Sequence, residues 1–110
     1  MRTHSPGLWV LLKNNKLSTF KILGAWRGGY LDSEAWRLSS NIVQITEEDN
    51  YMLFYGESGS MYRCRKSSVG LSALSASILN EIQDEATSVE IVQIQDIKVL
   101  IKELQKTADK

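Results

Sequence analysis

The chain has very few of the residues that build cross-linked or metal-bound scaffolds. Its 110 residues include one cysteine, Cys64, one histidine, His4, and one proline. A single cysteine excludes an internal disulfide, and one cysteine with one histidine cannot form the usual zinc-binding cluster. We therefore expect a fold stabilised by its hydrophobic core, in a reducing compartment such as the cytoplasm, without a metal or a cofactor.

An excess of charge of one sign is also missing, because 13 basic residues balance 13 acidic ones. Nonspecific affinity for nucleic acid or an anionic membrane comes from concentrated positive charge. Long hydrophobic runs are missing too, and the first apolar run covers only residues 8–12. A membrane-spanning helix needs about 20 apolar residues and a signal-peptide core at least about 7. We expect a soluble chain without a targeting segment or a membrane partner.

The composition itself is that of a globular protein, with 43% hydrophobic and 24% charged residues. A chain of this length can bury about two-thirds of its unfolded surface, which is enough to fold without covalent help. We expect residues 8–110 to form a single domain. Residues 1–7 are predicted to be a flexible terminal tail.

The strongest pattern is a series of short strands in the middle of the chain. Residues 51–55 are aromatic and aliphatic without a charge, and turn-forming residues lie on both sides of them. Residues 42–46 before and 61–66 after alternate in the manner of strands, so two hairpins share the central strand. Residues 36–38 are predicted to be a further strand of the same antiparallel sheet.

The third strand of this meander has two different faces. Tyr62 and Cys64 alternate with Met61, Arg63 and Arg65. One of these faces is expected to meet solvent or a partner, and a slip of one residue would exchange the two faces.

An N-terminal hairpin precedes the meander. Residues 8–12 are predicted to be its first strand and residues 17–23 its second, with a polar turn between them. A helix is the alternative for residues 17–23.

The C-terminal part changes to a helical period. Apolar residues recur every three or four positions over residues 71–82 and again over residues 97–104, which predicts two amphipathic helices. Asp96 is predicted to cap the second helix. Residues 89–94 are predicted to be a short strand between the helices, paired either parallel or antiparallel. The expected fold class is thus α+β: an antiparallel β-meander of about five strands, packed against two C-terminal helices with one short strand between them.

No catalytic constellation emerges from the sequence. Cys64 lies between two arginines, which lower a thiol pKa, but a cysteine nucleophile also needs a base, and His4 lies in the predicted tail. A structural thiol is the more common role of a free cysteine. We therefore predict no catalytic residue and favour a non-enzymatic protein.

Aromatic residues paired with arginine are the main functional signal. The predicted partner-binding residues are Trp26, Arg27, Tyr30, Trp36, Arg37, Tyr62, Arg63 and Arg65. Trp, Tyr and Arg are enriched at protein interfaces, which predicts an interaction or regulatory module that binds another protein, with a homodimer as one form.

Three alternatives remain open at this point. The same residues also suit a small protein that binds single-stranded nucleic acid. A small-ligand protein with a pocket between sheet and helices is the next alternative. The arginines can instead pair with the acidic turn that precedes residue 51.

Overall fold

The computed structural model describes residues 2–27, 34–86 and 88–108, and these ranges contain eight strands and two α-helices. The α+β class is confirmed. The elements are β1 (Arg2–His4), β2 (Leu8–Asn14), β3 (Thr19–Arg27), β4 (Glu34–Leu38), β5 (Ile42–Glu47), β6 (Tyr51–Gly56), β7 (Ser60–Arg65), α1 (Ala73–Glu85), β8 (Val89–Val92) and α2 (Ile94–Ala108).

The strands form two four-stranded sheets instead of one meander. Sheet A has the order β1-β7-β6-β5, and its last three strands are the predicted pair of hairpins. Sheet B has the order β4-β3-β2-β8 and contains the predicted N-terminal hairpin. Residues 36–38 belong to β4, which pairs antiparallel with β3 and not with the meander.

The predicted tail also contributes to sheet A. Arg2–His4 pairs in parallel with β7, with His4 opposite Tyr62. A sheet edge presents unpaired backbone N-H and C=O groups, and β1 supplies partners for those of β7. Residues 2–4 therefore form part of the folded structure, in place of the flexible tail that we predicted.

Strand β2 is buried on both of its faces. Trp9 and Leu11 belong to a core cluster between the two sheets, together with Ile45, Met52 and Phe54 of sheet A. Since strand side chains alternate, Val10 and Leu12 point the other way and pack with residues of α1. The uncharged run of the sequence thus corresponds to a central strand, and the layers follow the order sheet A, sheet B, α1.

Helix α1 lies close against sheet B. Ser72 and Ser75 form a capping box at its start, in which each hydroxyl accepts from the backbone N-H of the other residue. Ser75 and Leu79 are its buried residues. A small side chain at a buried position permits a close approach, and the helix predicted over residues 71–82 is confirmed.

Strand β8 and helix α2 complete the sandwich. Strand β8 pairs antiparallel with β2, which decides between the two predicted orientations. Ile97 of α2 is buried in the core between the sheets, and α2 also contacts β5. Because α2 already begins at Ile94, Asp96 lies in the first turn and is not the predicted N-cap. Among the described residues, neither helix has the length and apolarity to cross a membrane.

Candidate interaction surface

The structure divides the described members of the predicted partner-binding set between the two sheets. Trp26, Trp36 and Arg37 lie on sheet B, whereas Tyr62, Arg63 and Arg65 lie on β7 of sheet A. Tyr30 and the side chain of Arg27 fall outside the described part of the chain. The aromatic and arginine residues therefore do not form one continuous face.

Tyr62 faces the interior, with 2% of its surface exposed. Its ring lies against that of His4, with 4.8 Å between the centroids. Burial raises the pKa of the Tyr62 hydroxyl, and the positive charge of Arg37 opposes this rise. An interior position leaves Tyr62 unable to contact a partner in this structure.

Trp26 connects sheet B to the segment between β1 and β2. Its indole Nε1 donates to the carbonyl oxygen of Ser5 at 2.9 Å, and its ring makes an edge contact with His4. The predominant contacts of Trp26 are thus internal. Burial, together with the charges of Arg37 and Arg2, lowers the pKa of His4.

Trp36 and Arg37 are both exposed but point to opposite sides of sheet B. Trp36 stands opposite Ala25 in the strand register, and Arg37 stands opposite Gly24. Alternation places Trp36 on the same side as Leu38, which packs in the α1 cluster. The two neighbours in sequence therefore do not share one face of the sheet.

A different set of residues forms a coherent surface on sheet A. We define the outer face as the outward side chains of β6 and β7, which point away from sheet B. These side chains are Tyr51, Leu53, Tyr55, Met61, Arg63 and Arg65. All are partly or fully exposed, while the alternating positions Met52, Phe54, Tyr62 and Cys64 are buried.

Tyr51 lies at the centre of two guanidinium contacts on the outer face. The Cζ of Arg63 lies 3.5 Å from the ring centroid, the distance of a stacked cation–π pair. Arg65 donates from Nη2 to the phenolic oxygen at 3.1 Å, and it stands directly opposite Tyr51 in the strand register. This hydrogen bond and the charge of Arg65 lower the pKa of Tyr51.

Two of the cations in this region have acidic partners at the end of β5 and in the turn that follows it. Arg63 lies 3.9 Å from Glu48, and Lys66 forms a salt bridge with Glu47. The predicted pairing of arginine with the acidic turn is therefore present for Arg63. Arg65 has no carboxylate partner among the residues that the structure describes.

Two shallow polar depressions adjoin the Tyr51–Arg65 pair, with volumes of ≈ 420 and ≈ 380 Å³. Lys66 borders the first, and Arg63 with the Ser5 to Gly7 segment borders the second. Sequence reasoning did not include Tyr51 among the candidate residues, although it contacts both arginines of the outer face. The signal that indicates it is the hairpin register, which sets Tyr51 opposite Arg65 across a five-residue pairing.

A separate apolar cavity lies between sheet B and the C-terminal end of α1, with a volume of ≈ 290 Å³. Leu12, Leu38 and Ile82 contribute to its lining, and Lys21 lies among them. This is a pocket between sheet and helix, of the kind that the small-ligand alternative requires.

Comparison with known proteins does not identify the chain. Neither a protein-family model, nor a curated protein, nor a solved structure matches it. The assignment of a function therefore depends on the contacts and charges of the described residues.

Cys64 has the properties of a structural thiol. It is fully buried in the core between the sheets, and burial raises its pKa well above the ordinary range. A thiol that stays protonated is a poor nucleophile and a poor metal ligand. Within the described ranges, no three histidine, cysteine, aspartate or glutamate residues are grouped closely enough to hold a metal ion.

Proposed function

We propose that this domain is a non-enzymatic interaction or regulatory module that binds another protein through the outer face of sheet A. The observation that supports the proposal is the arrangement around Tyr51, where one arginine stacks on the ring and a second donates to its hydroxyl. An arginine held by stacking has already lost part of its rotamer freedom, so less entropy is lost on binding.

The residue types of the outer face also favour a protein partner. Tyr, Met and Arg are enriched at protein interfaces, whereas Lys, Glu and Asp are depleted there. The outward positions of β6 and β7 include two tyrosines, one methionine and two arginines and no acidic residue. Because Arg65 has no carboxylate partner among the described residues, the partner is expected to present an acidic side chain beside Tyr51.

Single-stranded nucleic acid is the second candidate for the same face. A base can stack on Tyr51 or Tyr55 while an arginine contacts phosphate. Against it, Glu47 and Glu48 already neutralise two of the nearby cations, and the chain has no net charge. Protein is therefore the favoured partner.

A second copy of the chain is one partner with suitable chemistry. Residues 67–110 carry seven acidic and four basic side chains, so this half can complement the arginines of the outer face. Such an association would be heterologous, because the two copies would contribute different surfaces.

The buried thiol of Cys64 suits a reducing compartment, and we propose the cytoplasm as the location.

The test compares a double variant, Arg63→Ala with Arg65→Ala, with a control that loses two positive charges elsewhere, Lys16→Ala with Lys102→Ala. Lys16 and Lys102 are exposed and lie outside the outer face. Proteins captured by the wild-type chain are identified by mass spectrometry, and the affinity of the purified partner is then measured for each variant.

We expect the outer-face variant to bind the partner at least about 10-fold more weakly, as for an arginine hot spot, and the control to stay within about 2-fold. Equal affinity for both variants would contradict the proposal. Binding of a mixed-sequence single strand that decreases steeply with salt would support nucleic acid instead. Sedimentation velocity of the wild type and the double variant tests whether a second copy is the partner.

A further inference from the structure

Lys21 occupies an unusual position, on the face of sheet B that α1 covers. It stands opposite Leu12 in the β2–β3 register, and the neighbouring pair on the same face is Val10 with Leu23. Those three apolar residues are buried in the cluster beneath α1. The apolar face of sheet B thus extends as far as Lys21, near the C-terminal end of α1.

The cavity described above lies at this point. Its lining consists of six apolar residues, Leu12, Leu17, Leu38, Ile82, Ala86 and Val89, and four polar ones, Asn14, Thr19, Lys21 and Asn41. Lys21 is the only charged residue among the described residues of the lining. Within the described residues, no carboxylate forms an ion pair with Lys21.

Leu17 borders the cavity with 67% of its surface exposed, the largest exposed fraction among the large hydrophobic residues that the structure describes. Its position is set by hydrogen bonds, since the side-chain oxygen of Asn14 accepts from the backbone N-H groups of Lys16 and Leu17. The turn is further attached by Asn15, which donates to the carbonyl of Ser88. A hydrogen-bonded turn therefore holds an apolar side chain in water beside an apolar cavity.

We propose that this cavity is a binding site for a small amphipathic carboxylate, whose apolar part packs against Ile82, Ala86 and Leu17 and whose carboxylate pairs with Lys21. The apolar part of the lining favours a ligand with an apolar part. Lys21, which has no carboxylate partner among the described residues, favours a ligand that also carries a negative charge. Binding would remove the exposed surface of Leu17 from water, which supplies a hydrophobic driving force.

The volume limits the size of the ligand. A cavity of about 150 Å³ accommodates benzene. At ≈ 290 Å³, the cavity is about twice as large and suits a chain of medium length or a small bicyclic ring. Octanoate is a probe of matching size and charge, and octan-1-ol is the matched neutral probe.

The test begins with the wild-type protein, because it requires no substitution. Octanoate is titrated while amide resonances are followed in a ¹⁵N–¹H NMR spectrum. We expect saturable shifts at Leu17, Lys21, Ile82 and Val89, with the outer face of sheet A unchanged. Absence of saturable shifts at millimolar octanoate, or shifts located elsewhere, would overturn the proposal.

Two variants then test the charge. Lys21→Gln removes the cation of the cavity, and Lys16→Gln removes an exposed cation from the adjacent turn, outside the lining. We expect Lys21→Gln to weaken octanoate binding about 5-fold, as for a half-exposed ion pair, with little effect on octan-1-ol. Lys16→Gln should match the wild type. Equal losses for both variants would overturn the role of Lys21.

A third variant, Ala86→Phe, fills the cavity from the end of α1 and should abolish binding of both probes. Unchanged octanoate affinity in a folded Ala86→Phe protein would overturn the site. A second copy of the chain is the other occupant that an exposed Leu17 can attract. A wild-type dimer that Leu17→Ser dissociates, together with no effect of octanoate, would assign the cavity to that contact and overturn the proposal.

Discussion

Replacing Trp9 with phenylalanine should destabilise the protein severely, although the substitution keeps an aromatic ring. Trp9 is fully buried, and its Nε1 donates to the carbonyl oxygen of Arg65 at 2.8 Å. Its ring also packs against Phe54, with 5.3 Å between the centroids. The variant loses the donor, leaves that carbonyl without its partner and opens a void between the sheets.

The lost hydrogen bond and the void each lower the free energy of unfolding. The carbonyl of Arg65 is only partly buried, so the loss of its partner costs about 1–2 kcal/mol, in the lower part of the range for a fully buried group. The void left by the smaller ring costs about 1–2 kcal/mol, because a packed core closes only in part around it. We expect the free energy of unfolding to fall by about 2–4 kcal/mol, with a decrease in Tm on the order of 10–15 °C for a domain of this size.

Trp26→Phe is the matched control. Trp26 also donates to a carbonyl, that of Ser5 at 2.9 Å, but this hydrogen bond is exposed, so water can replace the indole. The control should lose about 1 kcal/mol or less. Urea unfolding followed by far-UV circular dichroism gives both values without depending on tryptophan fluorescence. Losses within about 1 kcal/mol of each other would refute the assignment of Trp9 as the hydrogen-bonded centre of the core.

Three further predictions concern titratable groups. Cys64 should react with a thiol reagent at pH 8 only in denaturant, because its thiol is buried and its pKa is raised; rapid reaction of the native protein would contradict this. The pKa of His4 should lie below its ordinary 6.5 by NMR titration of its ring, so that stability present above pH 6.5 is lost as the pH falls and His4 protonates; a pKa above 6.5 would contradict the partial burial of the ring beside Arg37 and Arg2. Lys66→Gln should reduce stability by less than about 1 kcal/mol near neutral pH, because the pair that Glu47 forms with Lys66 is exposed. That pair is the main cause of the lowered pKa of Glu47, and the charge of Lys98 adds to it. The difference from wild type should vanish as the pH falls and Glu47 protonates, and a constant difference would argue against the pair.

The sequence pattern predicted local elements well because those elements depend on neighbouring residues. The alternation in residues 61–66 places Tyr62 and Cys64 on the opposite face from Arg63 and Arg65, as in the structure. It does not indicate which face is buried, and the predicted partner-binding residues include the buried Tyr62. The helical period over residues 71–82 corresponds to α1. In both cases the side-chain pattern repeats the geometry of the element itself.

The pairing between distant strands could not be predicted in the same way. Nothing in residues 36–38 distinguishes a partner in the meander from a partner in the hairpin, since both neighbours are apolar strands. Similarly, Arg2–His4 forms a strand only because β7 provides an edge for it. Long-range pairing depends on backbone groups that every residue has, so composition carries little information about it.

The candidate surface was predicted only in part, because its contacts also depend on which strands pair. Arg63 and Arg65 were predicted because they lie next to the aromatic Tyr62 in sequence, whereas Tyr51 required the register between β6 and β7. Trp36 and Arg37 are neighbours in sequence, yet the alternation of β4 directs them to opposite sides. The contacts of an aromatic side chain depend on the strand that pairs beside it. Neighbours in sequence do not show which strand that is.

Strand β2 is shared by both hydrophobic clusters, and this joint membership has a consequence for how the molecule opens. Trp9 and Leu11 belong to the cluster between the sheets, and Val10 and Leu12 belong to the cluster beneath α1. Because displacement of β2 disrupts both clusters, the two should unfold as one cooperative unit. The backbone amides of Val10 to Leu12 should accordingly exchange with deuterium only through global unfolding, more slowly than those of β1 or β4 at the sheet edges.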